Sequence, residues 1–472
     1  MNEQACTSIL VGKKATIDGS TMIARNDDTF MPITPQRFLM QPAAQNRHEI
    51  LKSTQNGFQA PLPTTGYRAT MTPNVEVQEK GLYGESSINE KNVAMSCTES
   101  VYGNEKALAY DPLVSDGLAE DCMQHMVAPF INSAREGVRY LGDLIKKYGS
   151  AEGNGVLFAD QDEVWYMEIV TGHHWAATRI PDDAYAIAAN QVAQQQIDFN
   201  DPDNYMWSAG LQEFVIEHHL NPDREGFNFR RIFGTDNNKD RHYNTPRVWY
   251  GQRCFNPSTI QEPTSSDLPF ICRAERLLAV EDLEYILGSH YNETQYDPLG
   301  QGSQEDKVRF RPISLNRTQN AHVLQIRNDV PKENAALMWI CFGVPSFAPF
   351  VPFYTNAHDT DPAWSETPLK YDIKSAYWMY RTLSMLVESH HSNFIQKDLD
   401  YLKDLREKQR TMIADFDQKV QNLTPAEITD ELTQANYAIS AAMKDKTMQM
   451  IADLVVEGLT LSKLTFDMDK NL

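Results

Sequence analysis

A cysteine at the sixth position is the residue of this sequence best placed to do chemistry. Cys6 stands in Ala5-Cys6-Thr7, so removal of Met1 to Ala5 would make it the N-terminal residue. A terminal cysteine carries its own base, because a free α-amine has a pKa of about 8 and can take a proton from a thiol near neutral pH. The position of Cys6 therefore predicts amide hydrolysis with the thiol as nucleophile.

The residues that follow Cys6 predict a hairpin that brings charged side chains back to the thiol. Residues 7–12 form a short, mostly apolar β-type run, and an Asp-Gly turn signal in residues 17–20 precedes a second run, residues 21–24. If these runs pair, residues 25–28, Arg-Asn-Asp-Asp, lie at the far end of the second strand, beside Cys6. An arginine there favours the thiolate, and a carboxylate can orient the thiol or the amine by hydrogen bonding.

The same segment resembles the start of a known enzyme family. The matching residues are Cys6-Thr7, the turn Lys13-Lys14-Ala15-Thr16-Ile17-Asp18-Gly19-Ser20, and Ala24-Arg25-Asn26-Asp27-Asp28. They are similar to the N-terminus of the bacterial dipeptidase A family, N-terminal-nucleophile cysteine peptidases related to penicillin acylases and bile salt hydrolases. The resemblance extends over most of the chain through residues 84–90, 189–191, 244–249 and 345–354.

The resemblance implies roles for the residues around the thiol. Cys6 corresponds to the nucleophile, whose α-amine, freed by processing, passes a proton to the leaving amine. Arg25 and Asp28 match the Arg-Asn-x-Asp pair that flanks this cysteine in related acylases. Arg25 is expected to stabilise the thiolate or orient the substrate, and Asp28 to hold the amine and the thiol. Asp27 is the competing carboxylate, and a solvated turn carboxylate is the structural alternative for both.

Three more site residues follow from the same resemblance. Asn190, at the end of the predicted strand 185–189, resembles an oxyanion-hole asparagine, and a strand-end cap is its structural alternative. Where related acylases tend to carry a further asparagine, this chain has Glu99, so the second oxyanion donor stays open. A carboxylate at Glu99 suggests pairing with the amino group of a dipeptide. Arg247 resembles a second site arginine that could clamp the substrate's carboxylate, with a structural salt bridge as the alternative.

Composition and motif spacing predict a large enzyme that binds no nucleic acid, membrane or metal. The chain has 472 residues and a formal net charge of −21, which argues against a nucleic-acid partner. No run approaches the ~18 apolar residues of a membrane span, and residues 1–5 have no features of a secretory signal, so we expect a cytoplasmic protein. The six cysteines include no Cys-x-x-Cys pair, and no His-Glu-x-x-His occurs. Neither a disulfide, a metal nor a cofactor is therefore expected.

The elements that must position these residues are of two kinds. Up to about Tyr354, short β-type runs dominate, at residues 94–97, 156–159, 164–170, 175–178 and 185–189. A capping box of Ser133 and Glu136 starts a helix that Gly149 ends. This pattern predicts an α+β protein. With the resemblance, it predicts a four-layer αββα N-terminal-nucleophile hydrolase over residues 6–360, preceded by a propeptide, residues 1–5.

The pattern becomes helical from about Asp361. Apolar residues at three-or-four spacing between Phe394 and Leu423 predict one long amphipathic helix. Thr424, Pro425 and Glu427 then restart a helix through a second capping box. Residues 361–472 are expected to form a helical region that packs on the enzyme body or on another subunit, and the second arrangement would make a homo-oligomer.

These features predict a metal-independent cysteine dipeptidase that acts on small peptides after autocatalytic removal of residues 1–5. Two alternatives stay open. One is an acylase-type amidase that cleaves N-acyl amides on the same scaffold, against which Glu99 and the helical region weigh. The other is a non-catalytic scaffold that works through its helices, against which the set Cys6, Arg25, Asp28 and Asn190 weighs.

Overall fold

Runs of strands are interspersed with helices along the parts of the chain that the computed structural model describes, residues 6–98 and 101–462. The strands are β1 (Thr7–Val11), β2 (Thr21–Asp28), β3 (Leu39–Gln41), β4 (Ile50–Lys52), β5 (Gln59–Pro61), β6 (Ala69–Met71), β7 (Ser86–Ile88), β8 (Ala94–Thr98), β9 (Asn154–Ala159), β10 (Val164–Ile169), β11 (Trp175–Ile180), β12 (Tyr185–Ala188), β13 (Tyr205–Trp207), β14 (Ile271–Cys272), β15 (Thr318–Ile326), β16 (Ala336–Phe342) and β17 (Val351–Tyr354). The helices are α1 (Val77–Lys80), α2 (Glu105–Tyr110), α3 (Glu120–Val127), α4 (Ala134–Tyr148), α5 (Leu211–Glu217), α6 (Phe229–Phe233), α7 (Thr245–Phe255), α8 (Val280–Leu287), α9 (Gln304–Lys307), α10 (Pro362–Ser365), α11 (Ala376–Ser389), α12 (His391–Val420) and α13 (Pro425–Thr460). The protein is therefore of mixed α and β structure.

Two antiparallel sheets dominate the fold. One has seven strands in the order β14-β12-β1-β2-β15-β16-β17, and the other has six in the order β13-β11-β10-β9-β8-β7. The hairpin predicted after Cys6 forms: β1 and β2 are adjacent and antiparallel at the middle of the seven-stranded sheet. The second strand is longer than the predicted run and continues through Asp28.

The central strand β2 is covered on both faces. Strands β1, β2 and β15 contact strands of the six-stranded sheet, and α7, α8 and α11 also contact the seven-stranded sheet. Helices α3 and α4 contact the six-stranded sheet. Because side chains alternate along a strand, Arg25 reaches Ser96 on β8, whereas its neighbour Asn26 donates to the backbone oxygen of Leu287 on α8. This alternation decides which charged residues of β2 can meet at one site.

The helix predicted after Ser133 forms with the expected ends, but only one of the two hydrogen bonds of its predicted capping box is present. Helix α4 covers Ala134–Tyr148, and the Ser133 side chain accepts a hydrogen bond from the Glu136 backbone N–H at 3.1 Å. The Glu136 carboxylate, however, accepts from the backbone N–H of Asn132 at 2.6 Å instead of from Ser133. The second box, Thr424 with Glu427, forms in full at the start of α13.

The C-terminal helices contact the body of the same chain. The long helix predicted from residue 394 is α12, which begins three residues earlier, at His391, and a separate helix, α11, precedes it. Helix α11 contacts β16 and α13 contacts β17, and apolar residues of α11, α12 and α13 join the core of the seven-stranded sheet. In the described part of the chain, none of these helices is both long and apolar enough to span a bilayer.

Asn436 of α13 completes the open edge of the seven-stranded sheet. Strand β17 has a neighbouring strand on one side only. On the other side, the fully buried Asn436 amide accepts from the Tyr354 backbone N–H at 2.8 Å and donates to the Tyr354 carbonyl oxygen at 2.9 Å. One side chain thus gives the edge the pair of hydrogen bonds that a further strand would give it.

Replacing Asn436 by alanine should lower the free energy of unfolding by about 2–4 kcal/mol, because two buried backbone groups lose their partners. Urea denaturation followed by circular dichroism measures the shift. Asn393→Ala, at an exposed asparagine of α12, is the control and should change stability by no more than about 0.5 kcal/mol. Equal shifts in the two variants would show that Asn436 does not hold the sheet edge.

Candidate active site

Cys6 immediately precedes β1, and its thiol faces Arg25 on the adjacent strand. Ser8 pairs directly with Arg25. Residues opposite each other in an antiparallel pair share a face of the sheet. Cys6 lies two residues before Ser8, so its side chain is on the same face as those of Ser8 and Arg25. Arg25 Nη1 donates to Cys6 Sγ at 3.1 Å, and the cysteine is only 1% exposed. The structure therefore brings together the thiol and the arginine that the sequence placed at one site.

Burial decides the protonation of this thiol. It raises the pKa of Cys6 well above its ordinary value. Arg25 opposes that shift, whereas the carboxylates of Asp27, Glu120 and Asp28 add to it. Because loss of water outweighs the single arginine, the thiol keeps its proton until a base takes it. In the chain that starts at Met1, the nitrogen of Cys6 is part of a peptide bond and is not that base.

Two buried glutamates hold Arg25. Its Nη2 forms an ion pair with the Glu85 carboxylate and donates to the Glu85 carbonyl oxygen at 3.2 Å. Its Nη1 lies 3.8 Å from Glu120 Oε1. Burial opposes the charge of Arg25, but Glu85, Cys6 and Glu120 raise its pKa well above the ordinary value. Neither glutamate was predicted as a site residue from the sequence. Glu85 lies in the family-like segment 84–90, whereas no local motif marks Glu120.

A neutral histidine extends the network behind Arg25. Arg25 Nε donates to Ser96 Oγ at 2.9 Å, and His322 Nε2 lies 2.9 Å from the same hydroxyl oxygen. The other ring nitrogen, Nδ1, lies 2.9 Å from Asn320 Oδ1. Burial, together with the charge of Arg25, lowers the pKa of His322 well below its ordinary value. The imidazole therefore orients Ser96 and Arg25 without adding a charge.

Asp27 and Asp28 lie on opposite faces of β2. Asp27 shares the face of Arg25, where Gln36 Nε2 donates to it at 2.6 Å. Burial, with the nearby Glu85, raises the pKa of Asp27 well above its ordinary value.

On the opposite face, Asp28 forms an ion pair with Arg311 and accepts a hydrogen bond from the Thr318 hydroxyl. Within the described residues it makes no hydrogen bond to Cys6, although it is near enough to raise the pKa of the thiol. Strand alternation therefore leaves Asp27 beside the arginine and places Asp28 among other partners.

Asn190 follows β12, the strand next to β1, and its amide orientation is determined by Arg247. Arg247 Nη2 donates to Asn190 Oδ1 at 2.8 Å. Since a guanidinium can only donate, Oδ1 must face it and Nδ2 must point away. Asn190 is 1% exposed, and across the described ranges no acceptor pairs with its Nδ2. A buried donor without a partner is costly, and here it indicates a place for a ligand oxygen.

Arg247 lies on α7 and is fully buried. Burial, with the nearby Arg311, lowers its pKa to about 9. A guanidinium has five N–H donors. They reach the Tyr243 carbonyl oxygen at 2.8 Å, the Cys6 carbonyl oxygen at 2.5 Å, Thr7 Oγ1 at 2.9 Å, Asn190 Oδ1 at 2.8 Å and Asn244 Oδ1 at 2.9 Å. A clamp on the substrate carboxylate would need some of these donors, so the contacts favour a positioning role at the start of β1 and at Asn190.

Two of the predicted features, Glu99 and the propeptide over residues 1–5, lie outside the described residues. Within residues 6–98 and 101–462, no group of three or more His, Cys, Asp or Glu side chains is arranged to hold a metal ion.

Comparison with known proteins agrees with a peptidase site. The chain is 59% identical to a probable dipeptidase of Latilactobacillus sakei over 468 residues, covering 99% of this chain and 98% of that one. It is 40% identical to dipeptidase A of Lactobacillus helveticus over 474 residues, covering 99% and 100%. A mutant conjugated bile acid hydrolase from Clostridium perfringens aligns with a TM-score of 0.32 and 10% identity over 71% of this chain and 89% of that chain, a likeness too small to bear on this one. Residues 5–404 match the model of peptidase family C69, and with relatives this similar along nearly the whole sequence, the chain belongs to that family.

Proposed function

We propose that this protein is a dipeptidase whose nucleophile is the thiol of Cys6, exposed as the N-terminal residue after removal of residues 1–5. One arrangement around Cys6 carries the proposal. Arg25 donates a hydrogen bond to the Cys6 thiol, and Arg247 joins the Cys6 carbonyl oxygen to the side chain of Asn190, whose buried Nδ2 donor has no partner among the described residues. A nucleophile, a cation and an oxyanion donor are what amide hydrolysis requires. The relatives named dipeptidase support small peptides as the substrates.

The reaction proceeds through a thioester. The α-amine of Cys6 takes the proton from Sγ, and the thiolate attacks the scissile carbonyl carbon while Asn190 Nδ2 donates to the oxyanion. The carbon–nitrogen bond breaks as the α-ammonium returns the proton to the leaving amine. Water then attacks the thioester, gives a proton to the α-amine, and the thiol leaves with that proton. Arg25 stabilises the thiolate. The charge of Asp28, which is near enough to Cys6 to raise the pKa of its thiol, favours the protonated form of the free amine.

Removal of residues 1–5 follows from the same chemistry. The thiol of Cys6 attacks the carbonyl carbon of Ala5. As the tetrahedral intermediate collapses, the carbon–nitrogen bond breaks and the thiol proton passes to the nitrogen of Cys6, which leaves as the free α-amine. Water hydrolyses the resulting thioester and releases residues 1–5 with a new carboxylate. Arg247, which donates to the Cys6 carbonyl oxygen at 2.5 Å, holds the residue in place during this step.

The finer architecture belongs to the same proposal. We infer a four-layer αββα hydrolase domain over residues 6–360 and a helical region over residues 361–472. Contacts of β1, β2 and β15 with the six-stranded sheet, of α7 and α8 with one sheet and of α3 and α4 with the other support the layered arrangement. The hydrophobic core shared by β16, β17 and the last three helices supports packing of the helical region on the body.

Mass spectrometry and a substrate panel test the proposal together. The active protein should lack Met1 to Ala5, and its N-terminal residue should be Cys6. Dipeptides should be cleaved much faster than tripeptides or N-acyl amides of the same side chains. A fully active chain that still begins with Met1 would refute the N-terminal mechanism, and a preference for N-acyl amides would favour the acylase alternative.

A further inference from the structure

We propose that Glu120, at the start of α3, binds the α-ammonium group of the substrate and so selects peptides with a free N-terminus. This inference rests on the proposed function and adds a specificity residue to it. Hydrolysis at Cys6 by itself does not distinguish a dipeptide from an N-acyl amino acid, so an enzyme that acts on dipeptides needs a group that recognises their amino end.

The side chain of Glu120 lies within reach of that amino end. Its Oε1 is 3.8 Å from Arg25 Nη1, which is 3.1 Å from Cys6 Sγ, so the carboxylate oxygen and the sulfur are no more than about 7 Å apart. In a dipeptide, the amino nitrogen is two bonds, about 2.5 Å, from the scissile carbonyl carbon. That carbon approaches the sulfur to about 3–3.5 Å. The amino nitrogen thus lies within about 6 Å of the sulfur, where a charged hydrogen bond of about 2.8 Å can join it to Glu120.

The charges around Arg25 favour a cationic ligand. Two carboxylates, Glu85 and Glu120, flank this guanidinium, and both residues are 2% exposed. A buried carboxylate attracts a cation strongly because little water screens its charge. His322 does not compete for that attraction, because burial and Arg25 lower the pKa of its imidazole. An ammonium group beside the two glutamates would therefore be bound by charged hydrogen bonds.

A buried oxygen of Glu85 is also available to this ammonium group. Glu85 uses Oε2 for its ion pair with Arg25, whereas its Oε1 has no hydrogen-bond donor among the residues that the structure describes. The backbone of Glu85 has a φ of 49°, in the left-handed region that glutamate seldom adopts, which suggests that the carboxylate is held there by its surroundings. Since an ammonium group has three N–H donors, it can bind Glu120 and Glu85 together.

The titratable groups near Glu120 come from several elements. The charge of Glu120 raises the pKa of Arg25, Cys6 and Cys97, and the backbone N–H of Glu120 donates to Glu152 Oε2 at 3.3 Å. Burial raises the pKa of Glu152 to about 7. Asp27 and Asp28, on β2, also raise the pKa of the Cys6 thiol. Because these groups meet any substrate in the same way, comparison of two substrates that differ only in the ammonium group cancels their titration.

The test compares alanyl-alanine with N-propionyl-alanine, which has hydrogen in place of the ammonium group. Glu120→Gln should lower kcat/KM for alanyl-alanine about 10- to 100-fold, since a hydrogen bond between charged groups is lost. N-propionyl-alanine never makes the contact, so its kcat/KM reports only what the substitution does through Arg25 and the thiol. The ratio of the two kcat/KM values should therefore fall about 10- to 100-fold. If N-propionyl-alanine binds without being cleaved, the fold-change in its inhibition constant between Glu120→Gln and the wild type is compared with the fold-change in kcat/KM for alanyl-alanine.

Glu152→Gln is the matched control. It changes a neighbouring carboxylate that contacts the backbone of Glu120, and it should leave the ratio of the two substrates unchanged. Equal losses on both substrates in Glu120→Gln would overturn the inference, because the residue would then serve the enzyme's own amine or its folding. A processed wild-type enzyme that cleaves no dipeptide would instead refute the proposed function.

A wild-type measurement covers the case in which Glu120→Gln does not fold. The α-amine of a free peptide has a pKa of about 8, and only its protonated form can pair with the carboxylate. As the pH rises above that pKa, kcat/KM for alanyl-alanine should fall relative to N-propionyl-alanine, approaching tenfold per pH unit. Superimposable profiles for the two substrates would overturn the inference. Titration of the enzyme's own groups affects both substrates and leaves their ratio unchanged.

Discussion

Replacing Cys6 by alanine should abolish hydrolysis and leave residues 1–5 attached to the chain. Without the sulfur, no thioester can form in either reaction, so both the turnover of dipeptides and the removal of residues 1–5 are lost. Loss of a nucleophile typically lowers kcat by several orders of magnitude, and we expect kcat/KM to fall by at least about 10³-fold. Steady-state kinetics and the intact mass of the purified protein measure the two effects.

Cys341→Ala is the matched control for this substitution. Cys341 is a fully buried thiol on β16 of the same sheet, and its Sγ lies 3.5 Å from the Ala348 carbonyl oxygen. Its removal should cost some stability but should leave processing and kcat/KM close to the wild type. Wild-type turnover by Cys6→Ala would reject the thiol as nucleophile, and equal defects in the two variants would indicate a folding effect.

Replacing Asn190 by alanine should lower kcat about 10²- to 10³-fold, equivalent to about 2.7–4 kcal/mol of lost transition-state stabilisation, with little change in KM. The donor Nδ2 is unpaired before substrate binds, and it acts mainly on the charge that develops on the carbonyl oxygen. The separate effects on kcat and KM distinguish this role from ground-state binding.

Two further variants isolate the contribution of Asn190. Asn89→Ala removes a buried amide that donates to the carbonyl oxygens of Ala128 and Ile131, and it should affect stability without lowering kcat of the folded enzyme. Arg247→Lys should lower kcat by releasing the Asn190 amide. In the double variant, the two losses should not add, because both act through one hydrogen-bond donor. Full kcat in Asn190→Ala would exclude the asparagine from the oxyanion site.

Much of the candidate site could be predicted from the first 28 residues. The turn signal in residues 17–20 and the apolar runs on either side are local, and a hairpin follows from them without help from the rest of the chain. The contact between Cys6 and Arg25 is a consequence of that hairpin. Asn190 could be named as a candidate because it lies in a family-like segment, residues 189–191, directly after a predicted strand.

The partners of these residues could not be predicted in the same way. Glu85 and Glu120 reach Arg25 from segments 60 and 95 positions away along the sequence, and no motif records such a separation. The resemblance implied a carboxylate clamp for Arg247, but it does not show that the buried guanidinium donates to the protein's own groups. Both facts depend on which segments pack together, which spacing along the chain does not determine.

The sequence by itself predicted the candidate nucleophile and determined the hairpin that follows it, the family and the helical nature of residues 391–460. These features depend on residue type, on periodicity and on turns, all of which act over a few neighbouring residues. Only the tertiary structure decided that Asp27 and Asp28 face opposite ways and that Glu120 lies near the thiol. It also decided that the amide nitrogen of Asn190 stays unpaired. Such features arise because the two sheets and their helices exclude water. Each buried polar group must then form a hydrogen bond with a residue from another segment of the chain or with a bound ligand.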